Sequence, residues 1–290
     1  MYAILDSFAV PPAKNTNDVL LTDWLLPLLP YFPGGNGPCN FDRVFVGSFQ
    51  RNDVPAGMPQ DWDPYYDGML STKYRGNMLA RQKAIAQQFN NMVANSTNPN
   101  VQWDWYINQE NSLDYSLSDP NVTNGELQFI VQQIIDFNSI RKDRVFLWSP
   151  WFTYHPSDFP VGSQEYKDLT TNLKKLFTQI PKQVAPYNAY GNNSGGPLWI
   201  SLQDHVGSES TDPAFNRTGA AQWFNYLKAN FSFKNLTMNV ELFLDPTDPN
   251  ASPSPAPCQE IYDREQFYVQ QGINLGPTFE LRYWDTCNHL

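Results

Sequence analysis

Carboxylate side chains recur in this sequence where short apolar segments give way to polar ones. In chain order these positions are Asp6, Glu110, Asp204, Glu241 and Glu280. Hydrolysis of a glycosidic bond needs two such groups, one as proton donor and the other as nucleophile or base. Their separation is about 5–5.5 Å in retaining enzymes and about 6.5–9.5 Å in inverting ones. Because these carboxylates lie far apart in the chain, the reaction requires a fold that gathers strand ends around one cavity.

The stretch VQWDWYINQE, which ends at Glu110, shows how one of these carboxylates is placed. Its odd-numbered positions from Val101 to Ile107 are apolar, whereas its even-numbered positions from Gln102 to Asn108 carry polar or tyrosine side chains. This period of two predicts a strand with two unlike faces. The next segment reads as a loop, so Glu110 stands where the strand ends. In a parallel α/β barrel that position belongs to the rim on which active sites are built.

Strand and helix patterns alternate along the whole chain. The predicted strands are 2–8, 43–49, 101–108, 144–150, 197–203, 238–244 and 277–284. The predicted helices between them are 76–94, 125–140, 164–180 and 213–231. Such alternation is typical of βα units on a parallel sheet. It predicts an α/β fold in which residues 1–290 form a single (β/α)8 TIM barrel domain. Residues 50–75 read as loop, so one βα unit of this barrel is expected to be degenerate. The alternative is a doubly wound open sheet.

Charge and composition narrow the classes of partner. The formal net charge is -10, with only 19 lysines and arginines, which argues against nucleic acid or an anionic membrane. No run approaches the roughly 18 apolar residues of a membrane span. The chain has no GxGxxG or Walker loop for a nucleotide and too few histidines at suitable spacing for zinc, so no cofactor or metal is predicted. An aromatic share of 15%, with Trp and Tyr beside polar residues, suits a surface that stacks on sugar rings.

Sequons and cysteines point to an extracellular glycoprotein. Asn-x-Ser/Thr sequons occur at Asn95, Asn121, Asn192, Asn216, Asn230, Asn235 and Asn250. So many in one chain favour a secreted eukaryotic protein. The preferred disulfide joins Cys258 to Cys287 and leaves Cys39 free, although either pairing that uses Cys39 is also compatible with the sequence. The first residues read as a strand instead of a signal peptide, so we interpret the chain as a mature form.

Polar and aromatic residues near the predicted strand ends complete the candidate site. The residues predicted to bind substrate are Asp6, Tyr106, Asn108, Trp151, Tyr154, His155, Gln203, His205 and Glu280. Among them Tyr106, Trp151 and Tyr154 are expected to stack on sugar rings. Asp204 and His205 are expected to orient a sugar hydroxyl or the second carboxylate.

Each carboxylate also has a structural interpretation. Glu241 interrupts the apolar run MNVELFL, so it is either functional or paired with a partner such as Arg282. Glu110 can instead bind a substrate hydroxyl or cap a loop. Asp204 can cap a helix that follows it. Asp6 is equally compatible with a hydrogen bond at the mouth of the barrel.

The segments WYINQE, LWSPWF, LQDHVG and NVELF occur in this order at strand-like spacing. Together they resemble the signature segments of a TIM-barrel family of glycoside-hydrolase-like domains, known as domain of unknown function 4434. The resemblance implies Glu110, Asp204 and Glu241 as the acidic site, and it implies no particular substrate. This sequence differs from the family pattern at His205, where a glycine is expected.

A broader resemblance is to retaining TIM-barrel glycosidases, whose acid/base glutamate follows an asparagine at a strand end; here Gln109 is inserted between Asn108 and Glu110. We therefore predict a secreted, monomeric glycoside hydrolase that cleaves a polysaccharide or oligosaccharide. Glu110 is the predicted general acid/base, Glu241 the nucleophile or the base that activates water, and Asp204 the third catalytic candidate. The alternative is a carbohydrate-binding or effector protein that uses the same scaffold without catalysis.

Overall fold

Short strands alternate with longer helices in the computed structural model, which describes residues 2–5, 9–10, 19–20, 25–48, 59, 63, 65–107, 109, 111–114, 119–142, 144–187, 198–206, 217–233, 235–244 and 254–277. The strands are β1 (Tyr2–Leu5), β2 (Ala9–Val10), β3 (Val19–Leu20), β4 (Arg43–Val46), β5 (Asp104–Ile107), β6 (Phe146–Trp148), β7 (Leu198–Gln203), β8 (Leu236–Asn239), β9 (Phe243–Leu244) and β10 (Ser254–Pro255). The α-helices are α1 (Asp67–Leu70), α2 (Thr72–Ala94), α3 (Pro120–Ile140), α4 (Gln164–Val184), α5 (Arg217–Asn230) and α6 (Cys258–Gln270). Short 3-10 helices span Leu26–Tyr31, Pro156–Asp158 and Ala185–Tyr187.

The main sheet has six parallel strands in the order β1-β4-β5-β6-β7-β8. The order follows the chain without reversal, and two small antiparallel pairs, β2 with β3 and β9 with β10, stand apart from it. Because parallel crossovers are right-handed, an unreversed order puts the connecting helices on one face of the sheet. A (β/α)8 barrel has this order, whereas a doubly wound sheet reverses its order at a switch point. The α/β class and the parallel sheet are thus confirmed, and closure into an eight-stranded barrel stays a prediction.

The two faces of the sheet are buried in different cores. Trp105 and Ile107 of β5 lie in the large core between the sheet and the helices. Tyr106, between them in sequence, packs on the opposite face with Phe45 and Leu147, and none of these three has exposed surface. The predicted alternation is therefore confirmed at these positions of β5. A second apolar core on the inner face is what a barrel encloses.

Leu147→Ala should test the inner core. Leu147 has no exposed surface, so its truncation should leave a cavity and lower the free energy of unfolding by about 2–5 kcal/mol. Urea-induced unfolding provides the measurement, with Leu70→Ala as the matched control because Leu70 is 43% exposed. Equal losses in the two variants would show that the inner face is not a packed core.

Side-chain caps set where the long helices begin. Ser71 Oγ accepts from the N–H of Tyr74 at 3.2 Å at the start of α2. Asp119 Oδ1 accepts from the N–H of Asn121 at 2.7 Å, and Pro120 occupies the first turn of α3. The observed helices therefore begin before the predicted starts, because caps and an initial proline extend a helix beyond its apolar pattern. None of the helices in the described ranges is long and apolar enough to cross a lipid bilayer.

The predicted strand 238–244 is divided in the structure. β8 ends at Asn239, and β9 follows after a break to pair antiparallel with β10. The prediction of one strand was wrong because the side chains of this apolar run pack in two different cores. Val240 packs in the main core, whereas Leu242 packs in a small cluster beside α6. Glu241 lies in the break between the two strands.

Other segments also differ from their sequence interpretation. A short helix, α1, lies within the predicted loop 50–75, and α6 forms where the sequence predicted no element. After α6, Leu275 forms a parallel bridge to Met238. The chain therefore continues the sheet beyond β8 at the point where the predicted strand 277–284 begins. From residue 278 onward that strand lies outside the described residues.

Candidate active site

Asp204 and Glu241 follow neighbouring strands of the sheet. Gln203 and Asn239 are the last paired residues of β7 and β8, and the N–H of Asp204 donates to the carbonyl of Asn239 at 2.9 Å. Both acidic residues therefore emerge at the C-terminal ends of adjacent parallel strands, where α/β folds bind ligands. Asp204 has no exposed surface and Glu241 is 2% exposed. The structure thus brings together two residues that the sequence predicted as catalytic, with Asp204 Oδ1 in contact with the backbone of Glu241.

The backbone of Glu241 is held on both sides by side chains. Its N–H donates to Asp204 Oδ1 at 3.0 Å, and its carbonyl accepts from Arg264 Nη1 at 2.9 Å. Neither bond belongs to the strand ladder, because Glu241 lies in the break between β8 and β9. We call these two hydrogen bonds the Glu241 clamp.

Asp204 accepts hydrogen bonds from three donors. Its Oδ1 accepts from the N–H groups of Glu241 at 3.0 Å and Val206 at 3.4 Å, and its Oδ2 accepts from the Tyr268 hydroxyl at 3.3 Å. Burial raises the pKa of Asp204, whereas the positive charge of Arg264 and these hydrogen bonds lower it. Residues 207–216 lie outside the described residues, so the alternative role as a helix cap stays a prediction.

Arg264 and Tyr268 complete this cluster, although the sequence did not point to them. Arg264 is 1% exposed and Tyr268 has no exposed surface. Their spacing of i and i+4 places both on one face of α6. Arg264 also pairs with Glu260, one turn earlier on the same face. The spacing of these three polar residues is a signal, but it becomes readable only after residues 258–270 are assigned as a helix.

The end of β5 is anchored to β6 on both sides of Glu110. The indole N–H of Trp148 donates to the carbonyl of Gln109 at 2.6 Å, and the N–H of Trp151 donates to the carbonyl of Asn111 at 3.2 Å. Glu110 itself lies outside the described residues. The chain on either side of it is therefore fixed at the C-terminal edge of the sheet, where the sequence predicts a catalytic group.

Behind this edge, the buried carboxyl of Glu126 supports Asn111. Asn111 Nδ2 donates to Glu126 Oε2 at 2.7 Å. Glu126 lies on α3 and has no exposed surface. Burial raises the pKa of Glu126 to about 8, while the hydrogen bond from Asn111 opposes that rise. Glu126 is therefore uncharged near neutral pH.

Asp114 joins the loops that follow β5 and β6. Its Oδ1 accepts from the N–H of Thr153 at 3.0 Å and its Oδ2 from the N–H of Tyr154 at 2.6 Å. Asp114→Ala should lower the free energy of unfolding by about 1–3 kcal/mol, because two partly buried backbone N–H groups lose their acceptor. Urea-induced unfolding checks this, with Asp168→Ala on the exposed face of α4 as control. A loss no greater than that of the control would contradict the anchoring role.

Trp151 and His205, both predicted to bind substrate, lie face to face. Their ring centroids are 5.2 Å apart with an interplanar angle of 9°, and Tyr65 meets Trp151 edge-on at 6.4 Å. His205 has a φ of 54°, in the left-handed region that favours glycine. Burial lowers the pKa of His205 to about 4, so its imidazole is neutral near neutral pH. The stacked pair forms an aromatic wall beside Asp204, and Trp151 is the less buried of its two rings.

Three of the four other described candidates for substrate binding make contacts within the protein that hold the fold together. Gln203 is buried and donates from Nε2 to the carbonyl of Ser149 at 2.6 Å. Tyr106 is enclosed in the inner core, so its predicted stacking on a sugar gains no support. His155 caps the 3-10 helix that follows it. Tyr154 is 48% exposed, and its ring is the most accessible of the three rings in this group.

Several predicted residues cannot be placed. Asp6, Asn108, Glu110, Asn192, Asn216, Asn250, Glu280, Arg282 and Cys287 lie outside the described residues. Cys39 is exposed and free, which confirms that part of the cysteine prediction. The sequon asparagines Asn95, Asn121 and Asn230 are exposed, and Asn235 is half-buried. In the portion of the chain that the structure covers, no group of three or more His, Cys, Asp and Glu side chains could hold a metal ion.

Comparison with known proteins gives distant structural similarities. No protein-family model and no curated protein sequence matches this chain. A putative alpha-L-fucosidase from Bacteroides thetaiotaomicron is similar at 13% identity and a TM-score of 0.49, over 99% of this chain and 92% of that one. A beta-glucosidase from Thermotoga maritima is similar at 11% identity and a TM-score of 0.42, over 82% of this chain and 64% of that one. A GH10 xylanase from Thermobacillus composti is similar at 12% identity and a TM-score of 0.36, over 81% of this chain and 63% of that one. Because the identities are 11–13% and the TM-scores are below 0.5, these similarities establish no activity for this chain. The assignment of the α/β fold rests on the order of the strands in the main sheet.

Proposed function

We propose that this protein is a glycoside hydrolase whose catalytic carboxylates are Glu110 and Glu241. The Glu241 clamp is the observation that carries the proposal. Glu241 is 2% exposed and lies in the break between β8 and β9. Here two buried side chains fix its backbone at the end of a parallel strand, the position at which barrels place catalytic groups.

The strand order supports the pairing of these two glutamates. In the sheet, β6 and β7 separate β5, which precedes Glu110, from β8, which precedes Glu241. In a closed eight-stranded barrel, strand ends this far apart face each other across the central cavity. That arrangement leaves space for a glycosidic bond between the two carboxyl groups.

In the proposed mechanism, Glu110 donates a proton to the oxygen of the leaving sugar. Glu241 attacks the anomeric carbon if configuration is retained, or removes a proton from the attacking water if it is inverted. The wall formed by Trp151 and His205 is proposed to pack against a sugar ring beside the cleaved bond. A polysaccharide or oligosaccharide is therefore the proposed substrate class.

Product release from a panel of fungal, bacterial and plant polysaccharides tests this function. Mass spectrometry should detect sugars released by the wild-type protein and absent from a heat-inactivated sample. The sizes of the products separate cleavage within a chain from cleavage at its end. Absence of products from every substrate would contradict the proposed activity.

A carbohydrate-binding protein without catalysis is the second candidate. The stacked pair of Trp151 and His205 favours it as much as it favours an enzyme, because a flat aromatic wall binds sugar with or without catalysis. Retention on an immobilised polysaccharide, without release of any product, would put this candidate first.

We also propose that the protein is secreted, monomeric and N-glycosylated, with a disulfide between Cys258 and Cys287. The free state of Cys39 and the exposure of three sequon asparagines are consistent with this proposal. Peptide mapping of the protein from its native source, without reduction, should yield one peptide pair joined through Cys258 and Cys287. A linked peptide that contains Cys39 would contradict the pairing.

A further inference from the structure

We propose that Asp204 acts through Glu241 instead of on the substrate, and that Arg264 and Tyr268 of α6 are positioning residues for the same glutamate. This inference rests on the proposed function, in which Glu241 is catalytic. It concerns how the site is held, and it assigns roles to two residues that the sequence did not indicate.

The contacts of Asp204 already occupy both of its carboxyl oxygens. Oδ1 binds the N–H groups of Glu241 and Val206 at 3.0 and 3.4 Å, and Oδ2 binds the Tyr268 hydroxyl at 3.3 Å. A catalytic carboxyl must reach the substrate within hydrogen-bond distance. Asp204 reaches the backbone of the next strand end instead.

Arg264 supplies the other half of the support. Its Nη1 donates to the carbonyl of Glu241 at 2.9 Å, and the guanidinium is buried on the sheet side of α6. Without Asp204 and Arg264, both backbone groups of Glu241 would lose these partners at a point where the strand ladder has ended. A buried backbone group needs a partner, so the two side chains determine where Glu241 sits.

Charge and protonation suit this arrangement. The positive charge of Arg264 lies among Asp204, Glu241 and Glu260, which limits the repulsion between the carboxylates. Burial and the nearby charge of Asp204 raise the pKa of Tyr268 well above its ordinary value. The tyrosine therefore keeps its proton and remains a hydrogen-bond donor to Asp204 near neutral pH.

Two substitutions at position 204 separate a positioning role from a catalytic one. In Asp204→Asn, the amide oxygen can still accept from the N–H of Glu241, and the amide nitrogen can donate to the Tyr268 oxygen. We expect Asp204→Asn to keep kcat within about 10-fold of wild type and Asp204→Ala to lose at least about 100-fold, with KM nearly unchanged in both. Equal, near-complete loss in the two variants would show that Asp204 is itself catalytic and overturn the proposal.

Tyr268→Phe tests the support from α6 with a minimal change. It removes one hydroxyl and keeps the packing, so we expect kcat to fall by about 10-fold while KM stays within about 2-fold. Tyr262→Phe is the matched control, because Tyr262 lies on the same helix and is 40% exposed. An unchanged kcat in Tyr268→Phe would remove Tyr268 from the positioning group.

Hydrogen exchange at the Glu241 amide tests the same inference without any substrate. The exchange rate should rise at least about 10-fold in Asp204→Ala and stay near the wild-type value in Asp204→Asn. Unchanged exchange in Asp204→Ala would overturn the clamp. If the wild-type protein releases no sugar while exchange behaves as expected, the proposed enzymatic function fails and the positioning of Glu241 stands.

Discussion

Glu241→Gln should abolish sugar release while leaving the protein folded. The substitution keeps the size of the side chain and both hydrogen bonds of the Glu241 clamp, since these involve only backbone atoms of residue 241. It removes the negative charge needed to attack the anomeric carbon or to activate water, so kcat should fall on the order of 10,000-fold or more. Product release by mass spectrometry measures the loss, and urea-induced unfolding verifies that the fold persists.

Two further variants show whether the loss of activity in Glu241→Gln is specific to the proposed catalytic pair. Glu165→Gln, on the exposed side of α4, should keep wild-type activity. Glu110→Gln should lose activity with most substrates but keep the bond-breaking step with a nitrophenyl glycoside, whose leaving group needs no proton, and this step is measured as the release of nitrophenol. Wild-type kcat in Glu241→Gln would exclude Glu241 as nucleophile or base. Loss in Glu241→Gln alone would keep an enzyme but displace Glu110 from its proposed role.

The sequence predicted the main sheet because its strands carry strong local patterns. The alternation around Trp105 and Tyr106 follows from two cores that each need apolar side chains, and this pattern survives in the structure. The break after Asn239 was not predictable in the same way. Val240 and Leu242 are equally apolar but pack in different clusters, and hydrophobicity alone does not show that two cores share one run.

Only part of the candidate site could be predicted from the sequence, because local patterns do not show how separate elements pack together. Asp204 could be predicted because it follows a predicted strand, and parallel strand ends meet at one edge. Glu241 could be predicted because it interrupts an apolar run. Arg264 could not, because its role depends on how α6 docks against that edge, and no local pattern specifies docking. At His205, by contrast, the sequence did indicate the local structure. The family that this chain resembles is expected to have glycine at this position, and the observed φ of 54° is one that glycine adopts without strain.

Glu126→Gln should remove a large pH dependence of stability. Glu126 has no exposed surface, and burial raises its folded-state pKa to about 8, above the ordinary glutamate value of 4.5. A raised folded pKa means that the stabilising contribution is complete below the unfolded pKa and is lost as pH rises through the folded pKa. Wild-type stability should therefore decline between about pH 5 and about pH 8, at up to about 1.4 kcal/mol per pH unit from this group.

The glutamine variant should not show this decline, because its side chain stays neutral and still offers an oxygen to Asn111 Nδ2. It should be more stable than wild type at pH 8 by a few kcal/mol and close to wild type near pH 5. Urea-induced unfolding at a series of pH values measures the difference, and Glu165→Gln should give a curve parallel to that of wild type. Parallel curves for wild type and Glu126→Gln would mean that Glu126 is already ionised in the folded protein. If Glu126 does titrate as expected, its ionisation should also affect the edge of the sheet beside Glu110, because the carbonyl of Asn111 accepts from the N–H of Trp151.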